Sequence, residues 1–299
     1  MAAWFRVLSG IVLADYAVVL GRICQAAKRY RPTIAAAWFV GTGLSVLASV
    51  VPGAAAQAPT LPDTLVPRHQ ARVVEVVDGD TLLLDDGGEV RLVGIQAPKL
   101  PLGRPGFQAW PLAEESRQAL VDAALDREVG LAFGGREEDR YGRLLAHLVR
   151  DDGVWLQGLL LAQGMARVYS FPDNRTAGAE MLAIEREARA AGVGLWADPF
   201  YAIRSPEAAG DYLDTFQLVE GRIVDAATVR GRVYLNFGAD WRDDFTVSIS
   251  AGDVEPFLAL GIDFESLIGQ RIRVRGWLYR RNGPMIDATH PEQVEILPD

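Results

Sequence analysis

Residues 73–100 of the 299-residue chain, VVEVVDGDTLLLDDGGEVRLVGIQAPKL, constrain its fold more than any other stretch. Two apolar segments, the β-branched-rich Val73 to Val77 and the leucine run Leu82 to Leu84, flank the break Asp78-Gly79-Asp80. A tight turn follows, and Glu89 to Ile95 runs back as a third strand. Strand, acidic break, strand, turn and strand are typical of the start of a small curved β-barrel with polar groups at its rim.

The next segments alternate between helix and strand patterns. Apolar residues at helical spacing predict three helices, and two β-rich runs predict strands between the first helix and the second. The helices are expected over Leu112–Leu125, Val154–Gln163 and Ala177–Ala191, and the strands over Glu128–Phe133 and Leu144–Val149. The class is therefore mainly β with α.

Three motifs occur in this region in a fixed order. They are VDGDT at Val77 to Thr81, RLVGIQAPK at Arg91 to Lys99, and DRYGR at Asp139 to Arg143. Together they resemble the staphylococcal nuclease (thermonuclease) family, over about Ala71 to Pro199. The resemblance implies an OB-fold barrel with three helices, within a domain that we place at residues 71–204. It also implies hydrolysis of nucleic-acid phosphodiesters with one Ca²⁺, two arginines and a glutamate.

The resemblance assigns roles to three charged residues of these motifs. Asp80 corresponds to the first metal carboxylate of the family. Arg91 and Arg143 correspond to the two arginines that grip the phosphate and stabilise its extra negative charge in the transition state. A planar guanidinium suits that role because it contacts two phosphate oxygens at once.

The resemblance also predicts a nucleotide-binding surface. Arg140 and Tyr141 correspond to positions that contact the phosphate and sugar, and Tyr169 and Phe171 to positions that wall the base pocket. Aromatic faces stack on any base, which suits low sequence preference. In the alternative reading, Tyr141 is a rim aromatic without a ligand, and the other two rings only cover the end of the barrel.

Two positions depart from the family pattern. The second metal carboxylate falls on Gln96, and the glutamate that activates water falls on Lys99. Both changes remove a negative charge where a hard cation needs oxygen ligands, so only a weakened Ca²⁺ site is expected, with Gln96 offering at most a carbonyl. The Lys99 ammonium would lie roughly where the ion would be, paired with Asp80 and touching a phosphate oxygen. Lys99 is thus a candidate catalytic residue, or else a solvated surface lysine.

Other titratable residues receive simpler interpretations. Glu115 lies near the start of the first predicted helix, where an acid suits the helix dipole, and it is also the nearest spare carboxylate for the missing base. His147 reads as a packed strand histidine. His69 and His290 lie outside every motif, and three scattered histidines form no zinc pattern.

The ends of the chain differ in charge and hydropathy. The first 58 residues hold five basic residues and one acidic residue, and the rest holds 25 basic and 38 acidic ones. Basic residues before the apolar run Ile34 to Val51, followed by Ala54-Ala55-Ala56, predict that residues 1–58 are a signal peptide or an uncleaved membrane anchor. The protein is then expected to be exported, periplasmic or secreted, or anchored to the membrane. Cys24 is the only cysteine, so the mature part has no disulfide.

Residues 59–70 read as a Pro-rich linker, and residues 210–299 as a second domain. Five or so strands with one helix before the fourth suggest a second small β-barrel, possibly another OB-fold. Arg271, Arg273 and Arg275 alternate along one strand and so share one face. They either bind single-stranded nucleic acid or pair with Asp240, Asp243 and Asp244.

These observations predict a thermonuclease-like phosphodiester hydrolase that acts on DNA or RNA with reduced or altered metal dependence. The acidic balance argues against a general nucleic-acid coating protein, since such proteins are normally basic. The alternative is a catalytically inactive nucleotide- or nucleic-acid-binding protein of this family, or an envelope interaction protein that uses its C-terminal domain.

Overall fold

A computed structural model describes residues 58–298, all of which belong to one compact unit. The predicted leader therefore lies outside the described residues, apart from Ala58. Among the described residues, no helix is long and apolar enough to span a bilayer. The segment expected to be a linker lies against the first barrel, because Leu65 is buried in its core and Thr60 forms a β-bridge with Val154.

Five strands close into a barrel in the order β1-β2-β3-β6-β5, which confirms the predicted OB-type architecture. Strands β3 and β6 pair in parallel, and the other neighbours are antiparallel. Strands β4 and β7 form a separate antiparallel pair. The bounds are β1 His69–Asp78, β2 Thr81–Leu84, β3 Glu89–Leu92, β4 Ile95–Gln96, β5 Glu128–Ala132, β6 Leu144–Arg150 and β7 Arg167–Val168.

The three predicted helices are present as α1 Ala113–Ala124, α2 Leu156–Ala162 and α3 Gly178–Ala190. Each turns an apolar stripe towards the barrel. Leu120 of α1 and Leu160 of α2 are fully buried in the same core as Leu82 and Leu148 of the strands. Burying a leucine side chain contributes roughly 1.5–3 kcal/mol, so these contacts hold the helices against the sheet.

The strand predicted from Glu89 to Ile95 is interrupted, and the interruption shapes the site. Gly94 has φ 82°, a conformation that favours glycine, so β3 ends at Leu92 and the chain turns before β4. A Cβ at Gly94 would also lie 2.4 Å from Cε of Met181. Gly79 in the β1–β2 break is required for packing, because a Cβ there would lie 2.1 Å from Oγ of Ser116 in α1.

The C-terminal part is a β structure of two sheets around one core. A five-stranded sheet has the order β13-β14-β11-β10-β9, and a three-stranded sheet has the order β15-β12-β8. The second barrel expected from the sequence is therefore divided into two sheets, which share core residues such as Val219, Val247 and Ile272. The bounds are β8 Phe216–Arg222, β9 Asp225–Val229, β10 Arg232–Asn236, β11 Thr246–Ile249, β12 Arg271–Trp277, β13 Tyr279–Arg281, β14 Gly283–Asp287 and β15 Val294–Ile296, with α4 Glu255–Leu258 between β11 and β12.

Buried ion pairs join the C-terminal sheets to the first barrel, along a contact that we call the seam. Arg275 of β12 donates from Nη2 to Glu185 of α3 and to Glu295 of β15, at 2.7 Å each. Arg189 of α3 contacts the same two glutamates, at 3.2 and 2.9 Å. Arg275 is only 1% exposed, so this network is closed to solvent.

The other two alternating arginines also pair with acids. Arg271 and Arg273 both donate to Glu220 on the neighbouring strand β8. The predicted pairing with Asp240, Asp243 and Asp244 was wrong. The alternating arginines instead bind glutamates of β8, β15 and α3.

Candidate active site

An open cleft of about 480 Å³ lies at the rim of the first barrel. Its lining includes every residue that the resemblance predicted for the phosphate and the nucleotide. These are Arg91, Arg140, Tyr141, Arg143, Tyr169 and Phe171. They come from β3, the turn before β6, and the segment after β7, so the barrel gathers them from distant parts of the chain.

Arg91 is held in place by the interruption after β3. Its Nη1 donates to the carbonyl of Leu92, and its Nη2 to the carbonyl of Ile95, both at 2.8 Å. Nη1 also lies 3.2 Å from Oδ2 of Asp80. Among the described residues no recorded hydrogen bond uses Nε of Arg91, and its side chain is 14% exposed. The guanidinium is therefore oriented on one side and open to an anion on the other.

Asp139 organises the DRYGR turn and orients the second arginine. Its carboxylate accepts from the backbone N–H groups of Tyr141 and Arg143, at 2.8 and 3.1 Å, and from Nε of Arg143 at 2.7 Å. Desolvation opposes ionisation of Asp139, but these hydrogen bonds outweigh it and lower its pKa. Arg143 has a partner yet remains 28% exposed, so its guanidinium can still face the cleft.

The nucleotide-binding candidates form an aromatic rim. Tyr141 is exposed, with Arg140 4.8 Å and Arg143 5.5 Å from its ring centroid. Tyr169 meets Phe171 edge to face, with centroids 4.9 Å apart, and an exposed face of Phe171 remains free of the core. Flat rings beside guanidinium groups provide the surfaces that a nucleotide needs.

The C-terminal part holds Tyr169 from behind. The ring of Phe216, at the start of β8, lies edge to face with Tyr169 at 4.7 Å. The indole N–H of Trp277 donates to the Tyr169 hydroxyl at 2.9 Å. A residue of the cleft is thus positioned by sheets that the family resemblance does not cover.

The Lys99 ammonium lies between two buried aspartates. Its Nζ is 2.7 Å from both carboxylate oxygens of Asp80 and 3.4 Å from Oδ2 of Asp78. Burial works against the charge of Asp80, but the nearby Arg91 and Lys99 charges and the Lys99 and Ala97 hydrogen bonds hold its pKa well below the usual range. Burial and the neighbouring Asp80 raise the pKa of Asp78. The cluster therefore holds an ammonium against the carboxylate that the resemblance assigns to the metal.

Gln96 is also engaged. Its Oε1 accepts from Nε and Nη2 of Arg167, at 3.0 and 2.7 Å. Arg167 is itself buried, and burial lowers its pKa to about 10. Its guanidinium lies 4.7 Å from the ring of Phe216 and donates to the Phe216 carbonyl. Sequence reasoning missed Arg167, because nothing local marks its contact with a glutamine 71 positions away.

The Ca²⁺ ion that the resemblance implies does not fit this arrangement. Asp80 Oδ2 accepts from the backbone N–H of Ala97 and contacts Lys99 and Arg91, and Oδ1 contacts Lys99 and Thr81. The acceptor capacity of one carboxylate, about four lone pairs, is thus used. Gln96 gives its oxygen to Arg167. No group of three or more His, Cys, Asp or Glu side chains suited to a metal is found between residues 58 and 298.

The remaining titratable candidates have structural roles. Glu115 is exposed in the first turn of α1 and is not among the residues that line the cleft, which favours the helix-dipole interpretation. His147 is buried beside Trp155, as expected for a packed histidine. The cleft also contains Arg136 and Asn174, which sequence reasoning missed, although Arg136 lies only three positions before the DRYGR motif.

Comparison with known proteins identifies relatives for the first barrel. A family model described as staphylococcal nuclease homologue matches residues 89–198. The chain is 36% identical to Protein ParB of Escherichia coli, over 44% of this chain and 73% of that protein. It is 33% identical to a micrococcal nuclease of Shigella flexneri, over 44% of this chain and 75% of the other. A thermonuclease of Staphylococcus hyicus is 25% identical, over 42% and 75%.

The family model covers the second and third motifs and the residues that line the cleft. The identities exceed 30% for relatives of which the chain spans more than two thirds. The closed barrel with its three helices agrees with them. The chain therefore belongs to the staphylococcal nuclease family.

Proposed function

We propose that the chain is a phosphodiester hydrolase of the nuclease type, which acts on nucleic acid with reduced or altered metal dependence. Family membership and the likeness to named nucleases support the reaction class. The proposed change in metal dependence rests on one observation. The Lys99 ammonium lies 2.7 Å from both oxygens of Asp80, and Arg91 shares that carboxylate at 3.2 Å while it lines the cleft. A fixed positive charge thus stands beside the phosphate-binding arginine.

The residues of the cleft divide the work of binding. Arg91 and Arg143 hold the scissile phosphate and stabilise the negative charge that develops on it, since preoriented donors are most effective in a partly buried site. Arg140 and Tyr141 contact the rest of the nucleotide, and Tyr169 with Phe171 stack on its base. Asp80 holds Lys99 and Arg91 at a fixed separation. Its role is electrostatic positioning, because its oxygens have no remaining capacity for an ion.

No carboxylate occupies position 99, so water attacks the phosphate without the family's positioned base. General acid–base catalysis contributes about 10²- to 10⁴-fold in enzymes. The chain should therefore cleave nucleic acid slowly compared with a family member that has an acid at this position.

A second function is supported by the same cluster. With Asp80 and Gln96 both engaged, the first barrel is also suited to bind nucleotides or single strands without cleaving them. In this case the arginines and aromatic rings of the cleft supply affinity alone.

Cleavage of a labelled single strand by the full chain tests the proposal. The assay is run with Ca²⁺, with Mg²⁺ and with chelator. Slow cleavage that survives the chelator and is lost in Arg91→Ala supports it. Lys99→Glu brings a carboxylate beside Asp78 and Asp80, and we expect cleavage that is about 10²-fold faster and requires Ca²⁺. The matched control Lys99→Gln removes the ammonium without adding an acid, and it should show no gain.

Gln96→Asp alone should not restore a metal site, because Arg167 would pair with the new carboxylate. If the wild-type protein cleaves nothing under any condition but binds single strands through Arg143, the binding function is correct and the hydrolase proposal is wrong.

A further inference from the structure

A second pocket, of about 340 Å³, lies at the seam and shares two residues with the cleft. Tyr169 and Phe171 line both, so the two cavities adjoin at this pair of rings. The rest of the second pocket comes mostly from the C-terminal sheets, in particular Phe216, Trp277 and Tyr279. We call it the seam pocket. Its volume is within the range of small-ligand sites, roughly 300–1,000 Å³.

The two cavities differ in charge. Four arginines line the cleft, namely Arg91, Arg136, Arg140 and Arg143. No lysine or arginine is among the residues that line the seam pocket, and Asp287 contributes a carboxylate at its edge. A phosphate would find no cationic side chain in the lining of this pocket. A flat uncharged group would be favoured, because Trp277 is 50% exposed and Phe171 is 46% exposed at the same pocket.

The remaining polar groups of the seam pocket bind one another. Ser170 and His290 share a hydrogen bond of 2.7 Å, and Thr289 bonds to His290 and Gln293. These side chains are therefore hydrogen-bonded within the wall, and the surfaces left for a ligand are mainly aromatic. Bases stack on such surfaces irrespective of their identity.

We propose that the seam pocket is a second base subsite for single-stranded nucleic acid. It receives the base adjacent to the nucleotide whose phosphate lies between Arg91 and Arg143. A strand that passes over the Tyr169–Phe171 pair places one base on each side of it. Duplex bases are paired and stacked and cannot enter, so the seam pocket selects single strands. This inference rests on the nucleic-acid function proposed above.

Binding of two probes to the full chain tests it: a fluorescent hexathymidylate and thymidine monophosphate. Trp277→Ala should weaken hexathymidylate binding about tenfold, within the roughly 5- to 150-fold range expected for one stacked base. Thymidine monophosphate binding should fall far less, and only through the lost hydrogen bond to the Tyr169 hydroxyl. Trp241→Ala is the matched control, since Trp241 is 53% exposed in the turn between β10 and β11 but lines neither cavity. It should affect neither probe.

Trp277→Phe separates stacking from support of Tyr169. Phenylalanine keeps a ring but lacks the N–H that binds the Tyr169 hydroxyl, so hexathymidylate binding should stay within about twofold of wild type. If Trp277→Ala weakens both probes equally, Trp277 only positions Tyr169 and the subsite is disproved. If Trp277→Ala changes nothing while Arg143→Ala weakens both probes, the subsite is wrong and the proposed function stands. If hexathymidylate binding does not depend on Arg143, both are wrong.

Discussion

The cleft and the seam use the same residue types for different ends. In the cleft, Arg91 and Arg143 each pair with one carboxylate and keep 14% and 28% of their side chains exposed. In the seam, Arg275 has two glutamate partners and is closed to solvent. An arginine that is oriented but not saturated can bind an anion, whereas a saturated one holds two parts of the fold together. Paired charge alone therefore does not distinguish a binding site from a structural network.

The largest expected effect is a difference in unfolding free energy between a variant of the seam and a variant of the cleft. Arg275→Met leaves Glu185 and Glu295 buried with Arg189 as their one shared partner, and such a loss typically costs about 3–5 kcal/mol of unfolding free energy. Arg143→Met, the matched control in the cleft, should cost less than about 1 kcal/mol, because the pair is partly exposed. Chemical denaturation of both variants measures the difference. Equal losses would show that the two networks are energetically alike.

The next effect is the pH dependence of stability that arises from two buried histidines, one in the first barrel and one at the seam. Burial lowers the pKa of His147, in the first barrel, to about 4. It lowers the pKa of His290, at the seam, to about 4 as well; Arg175 and Arg275 act in the same direction, and Glu292 and Asp253 oppose them. Each folded pKa is below the unfolded value of about 6.5, so the unfolded state binds more protons between these values.

Stability is therefore complete above about pH 6.5 and falls as the pH drops towards 4, by up to about 3 kcal/mol for each histidine. Unfolding free energies from pH 7.5 to 4.5 measure the slope. His147→Phe and His290→Gln should each remove about half of it, and the double variant nearly all. If one variant removes the whole slope, the burial of the other histidine contributes nothing.

Local sequence predicted the first barrel well because its signals are local. Alternation and turns located the strands, and the VDGDT and DRYGR motifs carry their own turn chemistry, as the hydrogen bonds of Asp78 to Asp80 N–H and of Asp139 to Arg143 show. Strand β9 carries no such signal, because it is short and largely exposed and has no apolar alternation.

The seam could not be predicted in the same way. Arg275 contacts Glu185 across 90 positions, and Arg167 contacts Gln96 across 71, and neither pairing leaves a periodic trace. The alternating arginines were identified as sharing one face, but their partners depend on how the two β units meet. The cleft residues were found from motifs. In contrast, Phe216 and Trp277, which hold Tyr169, follow only from tertiary structure.

The smallest expected effect concerns affinity for nucleic acid. Here a change in the cleft should have the larger effect, whereas for stability the change in the seam does. Removing an arginine that donates to a phosphate typically costs about 1.5–3 kcal/mol, so Arg143→Ala should weaken binding of a single-stranded oligonucleotide by roughly 10- to 100-fold. Arg271→Ala is the matched seam-side change. Arg271 is partly exposed but bound to Glu220, and it lines neither the cleft nor the seam pocket, so affinity should be unchanged. Fluorescence anisotropy at fixed low salt measures the oligonucleotide affinity of both variants. A comparable loss in Arg271→Ala would place the strand of alternating arginines in the binding surface. Nucleic-acid affinity would then not be confined to the arginines of the cleft.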